Sequence, residues 1–226
     1  MNQEAVLQVH QSIPKSIGHR IDLYSGFKRV FDVIISMIGL VFLLPIALFV
    51  KLALIVTKDN GKLFFKQERI GKDGKLFTIY KFRTMVNDAD NILYSLMQSD
   101  EDFKKEYTLT KKLKDDPRIT KLGKFLRKTS IDELPQLINI FKGDMSLIGN
   151  RPYLPREKDD MTIYYNDIVK TKPGLTGYWQ VSGRSNLDFE DRLKLESYYS
   201  KHNSFKMDVK IFFKTFATVL KGNGAE

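Results

Sequence analysis

A chain of 226 residues with 37 Lys+Arg against 27 Asp+Glu, a formal net charge of +10, can bury a real core and favours polyanionic partners: nucleic acid, an anionic membrane surface or phosphorylated substrates. The absence of cysteine excludes disulfides, thiolate metal sites and cysteine nucleophiles. The three histidines, His10, His19 and His202, match no His-based metal spacing, so any metal is expected to be a hard cation on oxygen ligands, such as Mg²⁺.

Residues 1–26 read as a polar tail. From Val33 to Val50, "VIISMIGLVFLLPIALFV" carries no charge, and "LALIV" after Lys51 extends the apolar run to Val56. A helix of that length rises roughly 36 Å, enough to cross a hydrocarbon core of about 30 Å. A signal peptide is a poor reading because the apolar region is too long; the other alternative is a fully buried globular helix. Lys28 and Arg29 precede the segment, and Lys58, Lys62 and Lys66 follow it. The positive-inside rule cannot satisfy both flanks of a crossing helix. A helix that enters, bends at Pro45 and leaves by the same face satisfies both, so a re-entrant segment over 27–57 is preferred to a spanning one.

"LFFKQERI" and "KLFTIYKF", joined by "GKDG", predict a β-hairpin over 63–82. The two glycines lack P-loop spacing and are read as a turn. Between Lys58 and Arg83 lie eight basic and three acidic residues, so the hairpin presents positive charge. Residues 87–114 are mixed in charge and partly helical; Asp88 and Asp90 form a D-x-D, read as a solvated helix start rather than a metal site.

In "DPRITKLGKFLRKTSIDELPQLINIFKGDMSLIGNRP", Leu122, Phe125 and Leu126, then Leu134, Leu137, Ile138 and Phe141, recur at helical spacing. Two amphipathic helices are expected to meet near Thr129–Ser130. Ser130 and Glu133 have capping-box spacing. Asp132 and Glu133, neighbours on a helix, would diverge by about 100°, which suits distinct jobs, one a nucleophile and the other an orienting or metal-holding group. Arg127 and Lys128 would make the same place an anion site.

"KPGLTGYWQVSGRSN", residues 172–186, gathers three glycines and a proline around the only Trp. Two readings stay open. Tyr178 or Trp179 stacks on a base while Arg184 holds a phosphate, or the stretch is a turn-rich connection with Trp179 in the core. In "FKMDVKIFFKTFATVLKG", Phe205, Val209, Phe212, Phe213, Phe216, Val219 and Leu220 recur at helical spacing among Lys206, Lys210, Lys214 and Lys221. That is a basic amphipathic helix of the interfacial type. The fold class expected is α+β and mostly helical: a re-entrant membrane helix, a β-hairpin and amphipathic interfacial helices, with residues 58–226 forming one membrane-associated catalytic domain.

The landmarks "FKRVFDV" before an apolar segment with Pro45, "YKFRTM", "DPRITKLGKFLRKTSIDELPQL", "NIFKGDMSLIGNRP" and "KPGLTGYWQVSGRS" occur in order over some 200 residues. In them the chain resembles the bacterial sugar transferases, the monotopic phosphoglycosyl transferases, in a minimal form without the four-helix membrane region of larger members. The resemblance implies transfer of a sugar-1-phosphate from a UDP-sugar to undecaprenyl (polyprenyl) phosphate on the cytoplasmic face of the bacterial inner membrane, priming capsule or exopolysaccharide synthesis. It implies a re-entrant helix broken at Pro45. It implies Asp132 as nucleophile in a Mg²⁺-dependent ping-pong reaction, with Glu133 assisting at the metal, Asp132 a second candidate metal ligand, and UMP released. Arg127 corresponds to a phosphate-binding arginine and Arg151 sits in the family's G-x-R-P turn. Lys81, Arg83 and Gln180, inside matching motifs, and Arg184 complete the candidate phosphate- and substrate-binding set.

Two positions depart from the pattern. Leu44 stands where many members have a small residue before the proline, so the helix break rests on Pro45. Asn150 replaces a proline in "GNRP", removing that ring's restraint on the Arg151 turn. The donor is guessed as a hexose such as galactose or glucose, and a homo-oligomer is left open. The competing readings are a non-enzymatic membrane-surface scaffold and a nucleic-acid binder; the latter has no helix-turn-helix, zinc or RNP-like signature, and no nucleic-acid partner is expected.

Overall fold

In the computed structural model, which describes residues 15–111, 113, 115–182 and 187–220, the apolar run forms one helix, α1 (Lys15–Val56), with Pro45 inside it and helix on both sides. α1 therefore begins within the stretch read as a tail. Its burial shows which face has a protein partner. Asp32, Ser36, Leu43, Val50 and Leu54 are buried, at intervals of four and seven that define one stripe. Val41, Phe42, Leu44, Leu48, Phe49 and Ile55 are exposed. The segment Leu23–Val56 is long and apolar enough to cross a membrane, yet only 11% of its most apolar window is buried. The alternative of a fully buried globular helix is thereby overturned.

The same domain holds α1 from Tyr24 to its C-terminal end. Near its start, Tyr24 Oη donates to Asp208 Oδ2 at 2.6 Å, and Lys28 pairs with the same carboxylate. Arg29 donates to the carbonyls of Ile140 and Phe141 at 2.6 and 2.8 Å. Asp32 Oδ1 accepts from Leu147 N–H at 2.9 Å. Gly39 admits Leu137, whose Cδ1 would lie 2.7 Å from an added Cβ. Leu43 and Val50 pack with Phe82 and Leu126. Just past the helix, Asp59 pairs with Arg83 at 2.7 Å.

The predicted hairpin is present. β1 (Phe64–Ile70) and β2 (Leu76–Phe82) pair antiparallel from Phe64↔Phe82 to Ile70↔Leu76. Asp73 (φ 56°) and Gly74 (φ 76°) make the tight reversal. α2 (Ala89–Ser99) and α3 (Glu101–Thr110) follow, the second capped by Asp100, which accepts from Asp102 and Phe103 N–H. α4 (Lys121–Lys128) starts at Thr120, whose hydroxyl accepts from Gly123 N–H. A 3₁₀ turn, Ile131–Glu133, leads to α5 (Gln136–Lys142). β3 (Ser146–Ile148) and β4 (Gly174–Thr176) form a short parallel pair, with α6 (Tyr165–Ile168) in the crossover. α7 (Phe189–His202) and α8 (Phe205–Leu220) close the chain.

The main core joins β2, α5, β3, α7 and α8 through Ile79, Leu137, Ile140, Met145, Tyr199 and Ile211. In α8, Asp208 and Ile211 face inward while Phe205, Phe213 and Phe216 are exposed. Phe212 meets Phe31 of α1 edge-on at 5.7 Å, so α8 lies beside α1. The side chains of Val219 and Leu220, and Lys221 as a whole, lie outside the described residues. The described residues are mostly helical with two small two-stranded sheets, the α+β class expected.

Candidate active site

α4 ends at Lys128, and Ser130 (φ 57°) turns the chain through the left-handed region into the Ile131–Glu133 turn. Two helices do meet here, but the capping box does not form. Ser130 makes no side-chain cap bond, because a capping hydroxyl needs extended backbone at that position. Glu133 instead faces β2, where Lys81 Nζ donates to its Oε1 at 2.6 Å.

Asp132 is 8% exposed, and among the described residues no donor side chain bonds its carboxylate. Burial, then the neighbouring Glu133 charge, pushes its pKa up to about 6 against the opposing pull of Lys81 and Arg127. Burial would raise Glu133 as well, but Lys81 outweighs it and holds that carboxyl below its ordinary range. Two adjacent acids thus acquire opposite tendencies, one held ionised and one whose charge is poorly compensated.

Arg127 reaches the site from the last turn of α4, its Nε donating to Thr84 Oγ1 at 3.0 Å. The helix can lie this close to Thr84 only because residue 123 is glycine: an added Cβ would stand 2.0 Å from the Thr84 carbonyl oxygen. Behind Arg127, Asp116 and Arg118 form a buried bidentate pair at 2.8 and 2.7 Å. β2 is fixed in turn by Asn139 of α5, fully buried. Its amide donates to Thr78 O at 2.7 Å and its oxygen accepts from Tyr80 N–H at 3.1 Å, standing in for a neighbouring strand and setting the register that points Lys81 at Glu133.

Arg151 enters from the loop after β3, and its charge helps hold Glu133 down. The restraint a proline would have given its turn comes from the Asn150 side chain. That amide, 2% exposed, lies 3.1 Å from Ile168 O, 3.1 Å from Thr171 Oγ1 and 2.6 Å from Ser200 Oγ. Arg151 N–H donates to Glu196 Oε1 at 2.7 Å.

The remaining candidates are placed elsewhere. Arg83 engages Asp59, Lys62 O and Met85 O, a tie between α1 and the hairpin. Among the described residues Gln180 hydrogen-bonds within its own turn, with Nε2 3.5 Å from Leu175 O. Arg184 lies outside the described residues. Trp179 is 5% exposed, packed under the Arg192 guanidinium at 4.6 Å, so the core reading holds for this residue. Asp88 and Asp90 are exposed at the start of α2, the solvated helix start expected. Sequence reasoning missed Arg69, Asn139, Arg192 and Glu196; an Asn on the apolar face of α5 was the one available signal.

No group of three or more His, Cys, Asp or Glu capable of holding a metal occurs among the described residues. At this turn, among the described residues, the carboxylates present are those of Asp132 and Glu133. That fits Mg²⁺, which binds through one or two carboxylates when substrate phosphates and water complete its shell.

The family model of the bacterial sugar transferases matches residues 23–222. Over 201 residues the chain is 43% identical to a Salmonella typhimurium protein named undecaprenyl-phosphate galactose phosphotransferase, covering 88% of this chain and 41% of that protein. It is 38% identical over 216 residues to the exopolysaccharide production protein ExoY of Sinorhizobium fredii, covering 94% of each. It is 36% identical over 211 residues to an Aeromonas hydrophila protein named UDP-N-acetylgalactosamine-undecaprenyl-phosphate N-acetylgalactosaminephosphotransferase, covering 90% of this chain and 46% of that protein. The chain spans less than half the length of the Salmonella and Aeromonas relatives and nearly all of the Sinorhizobium one. A match over so much of its length, with the acid pair, Lys81, Arg127 and Arg151 gathered around one turn, makes this chain a member of the bacterial sugar transferase family.

Proposed function

We propose that the protein transfers a sugar-1-phosphate from a UDP-sugar to undecaprenyl phosphate at the cytoplasmic face of the bacterial membrane, as the first step of a capsule or exopolysaccharide pathway. The observation that carries this reading is Asp132: a buried carboxylate without a bonded donor side chain among the described residues, between the Lys81–Glu133 pair and Arg127.

A carboxylate oxygen of Asp132 attacks the phosphorus that bears the sugar. The bridging P–O bond of the diphosphate breaks, UMP leaves with the electron pair, and a phosphoglycosyl-aspartate remains. An oxygen of the lipid phosphate then attacks the same phosphorus. The acyl-phosphate bond breaks and Asp132 returns as carboxylate. Lys81 and Arg127 offset negative charge on the transferring group. When bound by Asp132 and Glu133 together with the donor phosphates, Mg²⁺ would neutralise further charge there. Lys81 keeps Glu133 ionised for that task.

The membrane reading rests on α1. Both of its ends hold one domain, through Asp208 near Lys28 and through Arg83 beyond Val56. A crossing helix would drag these polar contacts through hydrocarbon. Entry and exit on the same face, with the exposed apolar stripe in the lipid, keeps them at the surface. Galactose is the first donor to try, since the Salmonella relative is named for it.

The test is UMP release by detergent-solubilised full-length protein with Mg²⁺, undecaprenyl phosphate and a panel of UDP-sugars. Release with one donor, abolished in Asp132→Asn, is expected. Release that persists in the variant removes Asp132 as nucleophile, and silence with every donor favours the scaffold reading.

A further inference from the structure

Three arginines converge on the loop that carries Arg151. Arg69 of β1 donates from Nη1 to Pro152 O at 3.0 Å and from Nη2 to Gln67 Oε1 at 2.7 Å. Glu196 of α7 holds the Arg151 N–H, and Arg192, one turn earlier on α7, is 1% exposed. The Nε atoms of Arg69, Arg151 and Arg192 are all buried without an acceptor. Among the described residues, none of the three guanidinium groups has a carboxylate at ion-pair distance. Their charges are mutually felt: burial first, then Arg151, pulls Arg69 down to about 10, and the same two causes lower Arg192. Glu196 does little to relieve them, because burial raises its pKa to about 7.

Buried Glu157 contributes negative charge nearby, but its carboxylate accepts from Leu154 N–H at 2.7 Å and bonds none of the three guanidinium groups. Buried cationic nitrogens without an acceptor are costly, and three of them around one loop favour an anion at that place. The contrast with Arg118, paired bidentately by Asp116, shows that this fold does pair an arginine where structure is the only demand.

The hairpin register gives the location. Lys81 stands opposite Phe65, and Arg69 opposite Phe77. Lys81, Gln67 and Arg69 therefore share one face, with Arg69 roughly 13 Å along the strand from the Lys81 level. This separation suffices for the site to hold two phosphates, one at Asp132 and another farther along.

We propose that Arg69 and Arg151 form a two-arginine clamp for a phosphate monoester, with Gln67 orienting Arg69 and Arg192 a fixed charge behind it that the bound anion offsets. Guanidinium forks match phosphate oxygens in pairs. On the reading of the previous subsection, on which this one rests for the ligand's source, the monoester is either the departing UMP or the lipid phosphate.

Trp179, the only tryptophan, lies against Arg192 and reports on the cluster. The experiment titrates full-length protein in detergent with inorganic phosphate, UMP and a short-chain polyprenyl phosphate, following Trp179 fluorescence. Wild type is expected to give a saturable change. Arg69→Gln should weaken binding about 10-fold or more, while Arg156→Gln, exposed on the next turn, leaves it unchanged. Weakening confined to UMP assigns the clamp to the nucleotide, and weakening confined to the polyprenyl phosphate assigns it to the acceptor. Equal binding by wild type and Arg69→Gln, or no saturable change with any probe, overturns the clamp. Should Arg69→Gln lose its far-UV circular dichroism, Arg69→Lys keeps the charge without the fork; a loss of several-fold is expected, and unaltered binding overturns the proposal. Binding needs no turnover, so protein that binds UMP through Arg69 yet releases none from any UDP-sugar would sink the transferase reading and leave the clamp standing.

Discussion

Asp116 and Asp132 flank the same helix, α4, and are almost equally buried, at 7% and 8% exposure. Asp116 accepts from Arg118 N–H, Nε and Nη2 at 3.0, 2.8 and 2.7 Å. Burial would raise its pKa, but these bonds prevail and lower it. Among the described residues Asp132 has no such set of bonds, and its pKa rises to about 6. Both lose solvent, but Asp116 has the Arg118 bonds to offset that loss, while Asp132 has the Glu133 charge adding to it. A carboxylate with a complete set of donors fixes the loop before α4; one without them has lone pairs free for the proposed attack on a substrate.

The largest expected effect separates the two by chemistry. Asp132→Asn should lower UMP release by about 10³-fold or more while the protein remains folded; a smaller loss by the same assay would move the nucleophile elsewhere. Asp116→Ala should do the reverse. It leaves Arg118 buried and uncompensated, so thermal unfolding should show a loss of about 3–5 kcal/mol, with UMP release at low temperature much less affected. Lys81→Met should cut turnover by roughly 10- to 100-fold. Since Lys81 lowers both acids, its removal should also shift the acidic limb of the pH–rate profile upward from the wild-type fall below about pH 6; a limb that stays in place would separate Lys81 from the pair.

The smallest effect is the most diagnostic. Asp132 titrates near 3.8 unfolded and about 6 folded, so the folded state holds the extra proton between these values and stability falls as pH rises through that window. Asp132→Asn should therefore be more stable than wild type at pH 7.5, by about 1–3 kcal/mol, and no different near pH 4. For Asp116, whose folded value is lowered, the stabilisation is present above the ordinary value and is lost only as pH falls below it. Melting curves from about pH 2.5 to 8 would show the Asp132 variant's advantage growing as pH rises above about 4 and the Asp116 variant's deficit shrinking only as pH falls below it; curves that change in the same window would overturn the contrast between the two acids.

Local signals made much of this legible. Alternating apolar residues around GKDG placed the hairpin, helical spacing placed α4 and α5, and Asp132–Glu133 stood out in a basic chain. What was hidden depends on contacts between distant segments. Ser130 and Glu133 have the spacing of a cap, but the cap is lost because the turn's left-handed backbone and its packing against β2 give Glu133 to Lys81. Arg192 and Glu196 lie on a helix whose charged positions look solvent-facing in sequence, and only the return of the chain after β4 buries them against Arg151. Arg83 matched a motif, yet its nitrogens serve the junction between α1 and β1.

The exposed stripe of α1, with Phe205, Phe213 and Phe216 of α8, has a kinetic consequence. On the proposed function, a protein held at a bilayer by this stripe would search for its lipid acceptor by lateral diffusion. Its rate then follows the acceptor's mole fraction in the membrane and not its concentration in the tube. Adding neutral lipid would slow the reaction at constant total acceptor, whereas diluting enzyme-bearing vesicles with buffer would leave the lipid-dependent half of the cycle unchanged.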